Sequence, residues 1–280
     1  MKKQLLSLLV AGTLAPAAAS AGFLQNWYMD ADKDGSLVQV SEYLDITGNS
    51  YVENTFVNPT DFTFTDEGFF QITGNNGGAA LTSLADANDS VIPSVQLTAM
   101  FENGTGFGSL SGGISFTGGD LELFADPVYD YGTAAGIFGA NQGDSLGTFS
   151  LYSGGGFVDA SGVPNGLLTF IFEATSLDVG VFFDENMNDL STMIDPLNPI
   201  LFGFVTTNAS VVADNTGNTQ YDLLVAELAE LGLPVTNTAP TNFVISNNGQ
   251  YRFSVPEPSS LALLGLGLLG FGLRGKRKGA

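Results

Sequence analysis

Apolar and polar residues alternate in several short runs of this chain, and this pattern limits its fold more than any other feature. The alternation is clearest at residues 61–65, 95–100, 114–116 and 148–152. Because successive side chains of a β-strand point to opposite faces, each run predicts a strand with one buried and one wet face. Three more continuously apolar runs, typical of central strands, lie at residues 167–172, 179–183 and 200–205.

Turn signals rich in asparagine and glycine separate these runs, at residues 75–78, 103–104, 165–166 and 247–249. The last signal lies between two apolar runs, residues 242–245 and 251–254, and the three segments together predict a β-hairpin. Short strands with frequent turns predict an all-β body. The sequence favours a single β-sandwich or jelly-roll-like body at residues 22–254 over a helical or α/β fold.

One stretch of this body, residues 221–231, predicts a short amphipathic helix. Leu224, Leu228 and Leu231 recur at positions i, i+4 and i+7, and Gly232 follows directly. Such a leucine stripe is typical of a helix that packs one face against a core.

The composition excludes several classes of chemistry. The 280 residues include no cysteine and no histidine, which excludes disulfides, Ser-His-Asp or Cys-His catalysis and histidine-ligated metals. The formal net charge is −21, and the body itself carries 28 acidic but only two basic residues, a net charge of −26. Such acidity argues against nucleic-acid binding, because phosphates would be repelled. Glycosidases use a pair of carboxylates, but among so many acids a pair at that spacing is expected by chance. Such a pair therefore does not indicate an enzyme, and we predict no catalytic residue.

The first 21 residues predict a secretory signal. Lys2 and Lys3 precede an apolar stretch at residues 5–14, and Ala19 and Ala21 provide the small-x-small cleavage pattern. We expect export through the Sec machinery and cleavage after Ala21.

The last 26 residues, 255–280, form a second unusual segment. It begins with Val255, Pro256, Glu257 and Pro258. An apolar run at residues 259–273 follows and predicts a transmembrane-like helix of about 22 Å, which is short for a hydrocarbon core of about 30 Å. A basic end follows the run, made of Arg274, Lys276, Arg277 and Lys278. By the positive-inside rule the basic end stays in the cytoplasm, with the body on the other side of the membrane.

The proline triplet, apolar helix and basic end, in this order at the C-terminus, resemble the PEP-CTERM sorting signal. The resemblance implies an exopolysaccharide-producing Gram-negative bacterium. It also implies processing by exosortase, a membrane-embedded cysteine transpeptidase-like enzyme, after transient anchoring in the inner membrane. The order of features in the body is also loosely similar to flocculation-associated PEP-CTERM proteins.

The sharpest local motif within the body is a run of alternating aspartates, Asp30, Asp32 and Asp34, followed by Gly35 and Ser36. Three carboxylates at alternate positions before a turn glycine can wrap around one hard cation, as in the first half of an EF-hand loop. The motif predicts either a calcium loop or an acidic surface turn.

The second half of this motif departs from an EF-hand. Its twelfth position is Ser41, and the glutamate comes one residue later, at Glu42. We predict Glu42 or Asp45 as a further calcium ligand. A weaker oxygen-rich candidate for a cation site consists of Asp184, Asn186 and Asn188.

These features predict a non-enzymatic, exported matrix protein, sorted by exosortase, located at the cell surface or in the extracellular matrix. It would associate with extracellular polysaccharide in biofilm or floc formation, with Ca²⁺ as its one expected cofactor. A surface adhesion protein that binds other proteins is the alternative, and a carbohydrate-active enzyme is a third reading.

Overall fold

The structure, a computed structural model, describes residues 22–75, 95–110, 112–158, 164–197, 199–211, 219–230, 232 and 241–255. Residues 23–254 form one compact unit. The described strands are β1 (Gly22–Phe23), β2 (Trp27–Met29), β3 (Val38–Val40), β4 (Leu44–Phe56), β5 (Asp61–Asn75), β6 (Gln96–Ser109), β7 (Gly113–Asp126), β8 (Asp144–Val158), β9 (Pro164–Leu177), β10 (Phe182–Phe183), β11 (Leu201–Val211) and β12 (Asn242–Val255). The helix α1 spans Thr219–Glu230, and a 3-10 turn spans Leu190–Met193.

Eight of these strands form a closed antiparallel barrel. Strands β4 to β9 are hydrogen-bonded in sequence order, β11 and β12 continue the sheet, and β12 pairs with β4 to close it. The closing ladder runs from Asn242 opposite Glu53 to Tyr251 opposite Leu44. The predicted β-sandwich or jelly roll is therefore wrong. Alternation specifies which face of a strand is buried, and this information is the same for a sandwich and for a barrel.

The predicted hairpin at the end of the body is also wrong. Residues 242–255 form the single 14-residue strand β12, and the Asn247-Asn248-Gly249 segment lies in its middle. The side-chain amide of Asn247 donates a hydrogen bond to Ser50 Oγ at 2.6 Å, so its polar group is satisfied without a turn.

Most of the other predicted runs lie in strands. Residues 61–65, 114–116 and 148–152 fall inside β5, β7 and β8, and residues 96–100 of the second run fall in β6. The Asn103–Gly104 turn signal instead marks an irregularity within β6, where Asn103 has a φ of 56°. Only Phe182–Phe183 of the predicted 179–183 run is strand.

Phenylalanine rings fill the barrel interior, and glycines make the space for them. The interior rings include Phe62, Phe64, Phe70, Phe101, Phe116, Phe170 and Phe172. A Cβ atom at the neighbouring glycines would lie within 3.3 Å of one of these rings, at Gly48, Gly68, Gly104, Gly106, Gly108 and Gly154. Large and small side chains thus alternate to fill a narrow barrel, as its interior geometry requires.

A second apolar cluster covers part of the barrel's outer surface. The predicted short helix is present as α1, and its Leu224 and Leu228 are buried. They pack in one cluster with Tyr51, Phe69, Met100, Phe138, Ala140 and Val244, which come from four barrel strands and the β7–β8 connection. The helix therefore buries one apolar face, as its leucine spacing predicts.

A small three-stranded sheet, in the order β10-β2-β3, packs against the barrel near the end of β12. Trp27 of this sheet is fully buried, and its ring lies 5.1 Å from the ring of Phe253, edge to face. Phe182 of the same sheet lies 5.3 Å from Phe253. These contacts fix the short β2–β3 connection, which carries the alternating aspartates.

None of the helices among the described residues has the length and apolarity needed to span a membrane. The predicted signal peptide at residues 1–21 and the predicted apolar helix at residues 259–273 lie outside the described residues.

The close packing of rings against glycines predicts that Gly106→Ala lowers the free energy of unfolding by about 1–3 kcal/mol. Overpacking would force the neighbouring groups to shift. The added Cβ would lie 2.3 Å from the Phe64 ring and 2.4 Å from a backbone oxygen. Gly203→Ala is the matched control, because its nearest neighbours lie 3.9 Å or more away. Chemical denaturation of both variants is the measurement. Equal denaturation midpoints would contradict the proposed packing of rings against glycines.

Candidate functional site

The β2–β3 connection folds the alternating aspartates into a tight loop. Its start is anchored because the backbone N–H of Asp30 donates to the carbonyl of Val181 at 2.9 Å. The loop then turns through two left-handed residues, Lys33 at a φ of 54° and Gly35 at 89°. We call residues 30–36 the acidic loop.

The three carboxylates of the acidic loop converge. One oxygen from each of Asp30, Asp32 and Asp34 lies within 4.8 Å of the others. Short backbone bonds hold them there: Gly35 N–H donates to Asp30 Oδ2 at 3.0 Å, and Ser36 N–H donates to Asp34 Oδ1 at 2.7 Å. The predicted residues of the first half of the motif are thus brought together.

Asp30 is the unusual member of this cluster. The residue is only 8% exposed, and its Oδ1 atom is buried without a hydrogen-bond partner. Burial raises the pKa of Asp30, and the Gly35 N–H bond opposes that rise. A side-chain hydrogen bond with Asp32 and the charges of Asp32 and Asp34 add to the rise. A buried carboxylate oxygen that faces two further carboxylates is stabilised when a hard cation binds among them.

The basic side chains near this loop are paired elsewhere. Lys33 forms an ion pair with Asp178, just after β9. Arg252 donates to Glu42 Oε1 at 2.7 Å. Glu42, predicted as a further ligand, therefore lies with Arg252 and does not join the three aspartates. Among the described residues neither of these two ion pairs involves Asp30, Asp32 or Asp34.

The weaker candidate loop uses its oxygens internally. Asp184 Oδ1 accepts from the backbone N–H groups of Asn186 and Asn188, each at 2.8 Å, and Asp184 Oδ2 accepts from the Asn188 amide at 2.7 Å. The loop is thus closed by its own hydrogen bonds. Its role as a cation site stays a prediction without support from this geometry.

Asp66 is a buried acid inside the barrel that the sequence reasoning missed. Burial raises its pKa to about 8, with a further rise from the charge of Glu67. Alternation of Phe62, Phe64 and Asp66 along β5 was the available signal, since it places the carboxyl on the inward face. The cavity beside Asp66 measures about 10 Å³, room for about one water. A substrate does not fit there, so the perturbed pKa marks a structural position.

Comparison with known proteins gives one match. Residues 254–278 match the family model of the PEP-CTERM protein-sorting motif, which confirms the resemblance predicted from the tail. The matched range contains the proline triplet and the basic end. Of its residues, the structure describes Ser254 and Val255. The motif implies an exported protein with a membrane-anchored precursor, with exosortase as the processing partner. Neither the curated proteins nor the solved structures contain a match to the chain.

The buried carboxyl predicts a pH-dependent stability. Because the pKa of Asp66 is raised from 3.8 to about 8 on folding, the folded chain holds a proton that the unfolded chain loses. This contribution is complete below pH 4 and is lost as the pH rises through 8, by up to about 1.4 kcal/mol per pH unit. Asp66→Asn is expected to remove that slope.

Denaturant unfolding between pH 5 and pH 9, in chelator, measures this effect. Asp144→Asn is the control, because Asp144 is an exposed acid at the start of β8. If the wild type and Asp66→Asn lose stability equally over this range, the assignment to Asp66 is wrong.

Proposed function

We propose that this exported, exosortase-sorted protein is a non-enzymatic component of the extracellular matrix that associates with exopolysaccharide. We further propose that Ca²⁺ bound by the acidic loop stabilises it there. The observation that carries the calcium proposal is the buried, unpartnered Oδ1 of Asp30 within the three-carboxylate cluster. The polysaccharide proposal rests on the sorting motif and on the acidity of the body.

The cluster has dimensions that suit calcium. Ca²⁺ binds oxygens at about 2.3–2.6 Å, so two of its ligands stand at most about 5 Å apart. The three aspartate oxygens lie within 4.8 Å of one another, inside that limit. Waters and backbone carbonyls would complete the six to eight ligands. Because few protein ligands converge, we expect the affinity of extracellular calcium modules, about 10⁻⁴–10⁻³ M.

Calcium in the acidic loop would tie the small sheet to the barrel. The loop connects β2 to β3, Asp30 is hydrogen-bonded to Val181, and Lys33 is paired with Asp178. A divalent cation would also offset part of the repulsion within a body of net charge −26. The expected effect of calcium is therefore on stability and rigidity.

A non-enzymatic role is supported by the surroundings of the buried acids. Asp66 faces a cavity for about one water. Burial also raises the pKa values of Tyr131, which is partly buried, and of Tyr251, which is fully buried. Titratable groups whose pKa values are strongly shifted mark catalytic sites when they line a cleft, which these do not.

Calcium binding predicts a ligand-dependent stability. At 100 times the dissociation constant, calcium is expected to raise the free energy of unfolding by about 2.7 kcal/mol, seen as a higher melting temperature than in chelator. The double variant Asp32→Asn, Asp34→Asn should lose this rise. Glu185→Gln is the control, since it removes an exposed charge from the other oxygen-rich loop. If the double variant keeps the calcium-dependent rise in melting temperature, the cation binds elsewhere.

Matrix association predicts retention of the exported protein on the producer's own exopolysaccharide. Co-sedimentation with calcium and with chelator is the measurement, alongside flocculation and biofilm formation after deletion of the gene. We expect retention and weakened aggregation in the deletion strain. Absence of retention in both conditions, with aggregation unchanged, would contradict the proposal and favour the adhesion alternative.

A further inference from the structure

A hydroxyl-lined groove lies on the outer face of the barrel, away from the acidic loop in sequence. It is open to solvent, has a volume of about 490 Å³ and is formed by strands β4 to β7. Its polar lining consists of Glu53, Thr55, Thr63, Thr65, Thr105 and Thr117. We call this feature the threonine groove. Its volume falls in the range of small-molecule and sugar-sized sites, about 300–1,000 Å³.

The strand register builds this groove. Glu53 lies opposite Thr65, and Thr65 lies opposite Thr105 on the next strand. Thr105 and Thr117 continue the row, with their hydroxyl oxygens 3.3 Å apart. A second row places Thr55 opposite Thr63. Because β-branched residues are stiff, these hydroxyls are held at fixed spacings before any ligand binds.

An exposed aromatic ring lies beside the hydroxyl rows. Phe107 is opposite Thr63 on one side and Ser115 on the other, and 55% of its surface is exposed. Most phenylalanines of this barrel fill its interior, so an outward-facing one at this position is an exception. A sugar ring presents hydroxyls at its rim and C–H groups on its faces, and hydroxyls beside an exposed ring complement both.

The charge around the groove selects among sugars. Glu53 lines it, and the nearby acids Glu67 and Glu102 lie on the same two strands as Thr65 and Thr105. The described residues of β4 to β7 contain no lysine or arginine. A polymer with uronate or sulfate groups would be repelled, whereas neutral sugars fit and amine-bearing sugars could pair with Glu53.

A peptide ligand is disfavoured by the topology. Each of β4, β5, β6 and β7 is hydrogen-bonded to a neighbour on both sides, so an extended peptide cannot add to the groove as a further strand. The groove lining is also mostly hydroxyl-bearing, whereas the centre of a protein interface is apolar.

We infer that the threonine groove binds a polysaccharide segment that carries no anionic groups. This inference rests on the proposed matrix function and deepens it, because it names both the surface and the class of sugar.

The test compares groove variants with a matched control on the same barrel. Thr105→Val with Thr117→Val removes the groove pair of hydroxyls at nearly unchanged shape. Thr148→Val with Thr175→Val removes an equivalent pair, 2.9 Å apart, from β8 and β9. Phe107→Ala removes the exposed ring. Melting temperatures of all variants confirm that each one folds.

The probes are dextran and cello-oligosaccharides as neutral sugars, chitosan oligosaccharides as amine-bearing sugars, and alginate oligosaccharides as anionic sugars. Binding to the exported protein is measured by titration in chelator, which removes calcium bridges. We expect the wild type to bind a neutral or amine-bearing probe and to ignore alginate. Two variants, Thr105→Val with Thr117→Val and Phe107→Ala, should each weaken that binding at least about fivefold. The control, Thr148→Val with Thr175→Val, should bind as the wild type does.

Four outcomes would overturn the inference. Preferential binding of alginate would show that the predicted class of sugar is wrong. Equal loss of sugar binding in the groove and control double variants would show that the threonine groove is not the binding surface. If the wild type is retained by the producer's exopolysaccharide and the groove variants are retained equally, the groove is wrong while the matrix function stands. If the wild type is not retained at all, both fail.

Discussion

The packing of phenylalanine rings against glycine gaps inside the closed barrel is the constraint on which the rest of this structure depends. The chain has no cysteine, so no disulfide holds it together. An eight-stranded barrel is just wide enough for side chains to fill. Rings such as Phe116 and Phe170, with centroids 4.4 Å apart, fill it only where glycines on facing strands yield space. The 36 glycines and 22 phenylalanines are thus partly explained by one geometric requirement.

A filled interior moves binding to the outside of the barrel. The cavity beside Asp66 has room for about one water, so among the described residues this part of the lumen offers no place for a larger ligand. The remaining sites are those that the barrel positions on its surface: the acidic loop between β2 and β3, and the threonine groove on β4 to β7. Both consist of short polar side chains on fixed backbone, which favours small, pre-organised contacts over a large interface.

The sequence predicted parts of β5 to β12, the helix and the convergence of Asp30 with its neighbouring aspartates, because those features depend on local spacing. It did not predict β2, β3 or β4. It did not predict barrel closure, since that depends on β12 meeting β4 almost 200 residues earlier. The same distance in sequence explains two further differences from what the local patterns suggest. Asn247 is satisfied by Ser50 instead of forming a turn, and Glu42 is held by Arg252 instead of joining the aspartates. Local patterns identify polar groups, whereas only the fold assigns their partners.

Charge connects the sorting signal to the two surface sites. The body has two basic side chains, Lys33 and Arg252, and both are already in ion pairs. Its other carboxylates must therefore be balanced by ions from outside the protein. In the proposed function, the acidic loop would take up a divalent cation, and the same excess of negative charge would repel acidic polymers from the threonine groove. Acidity would thus act in two ways, drawing cations to one site and selecting uncharged or cationic sugars at the other.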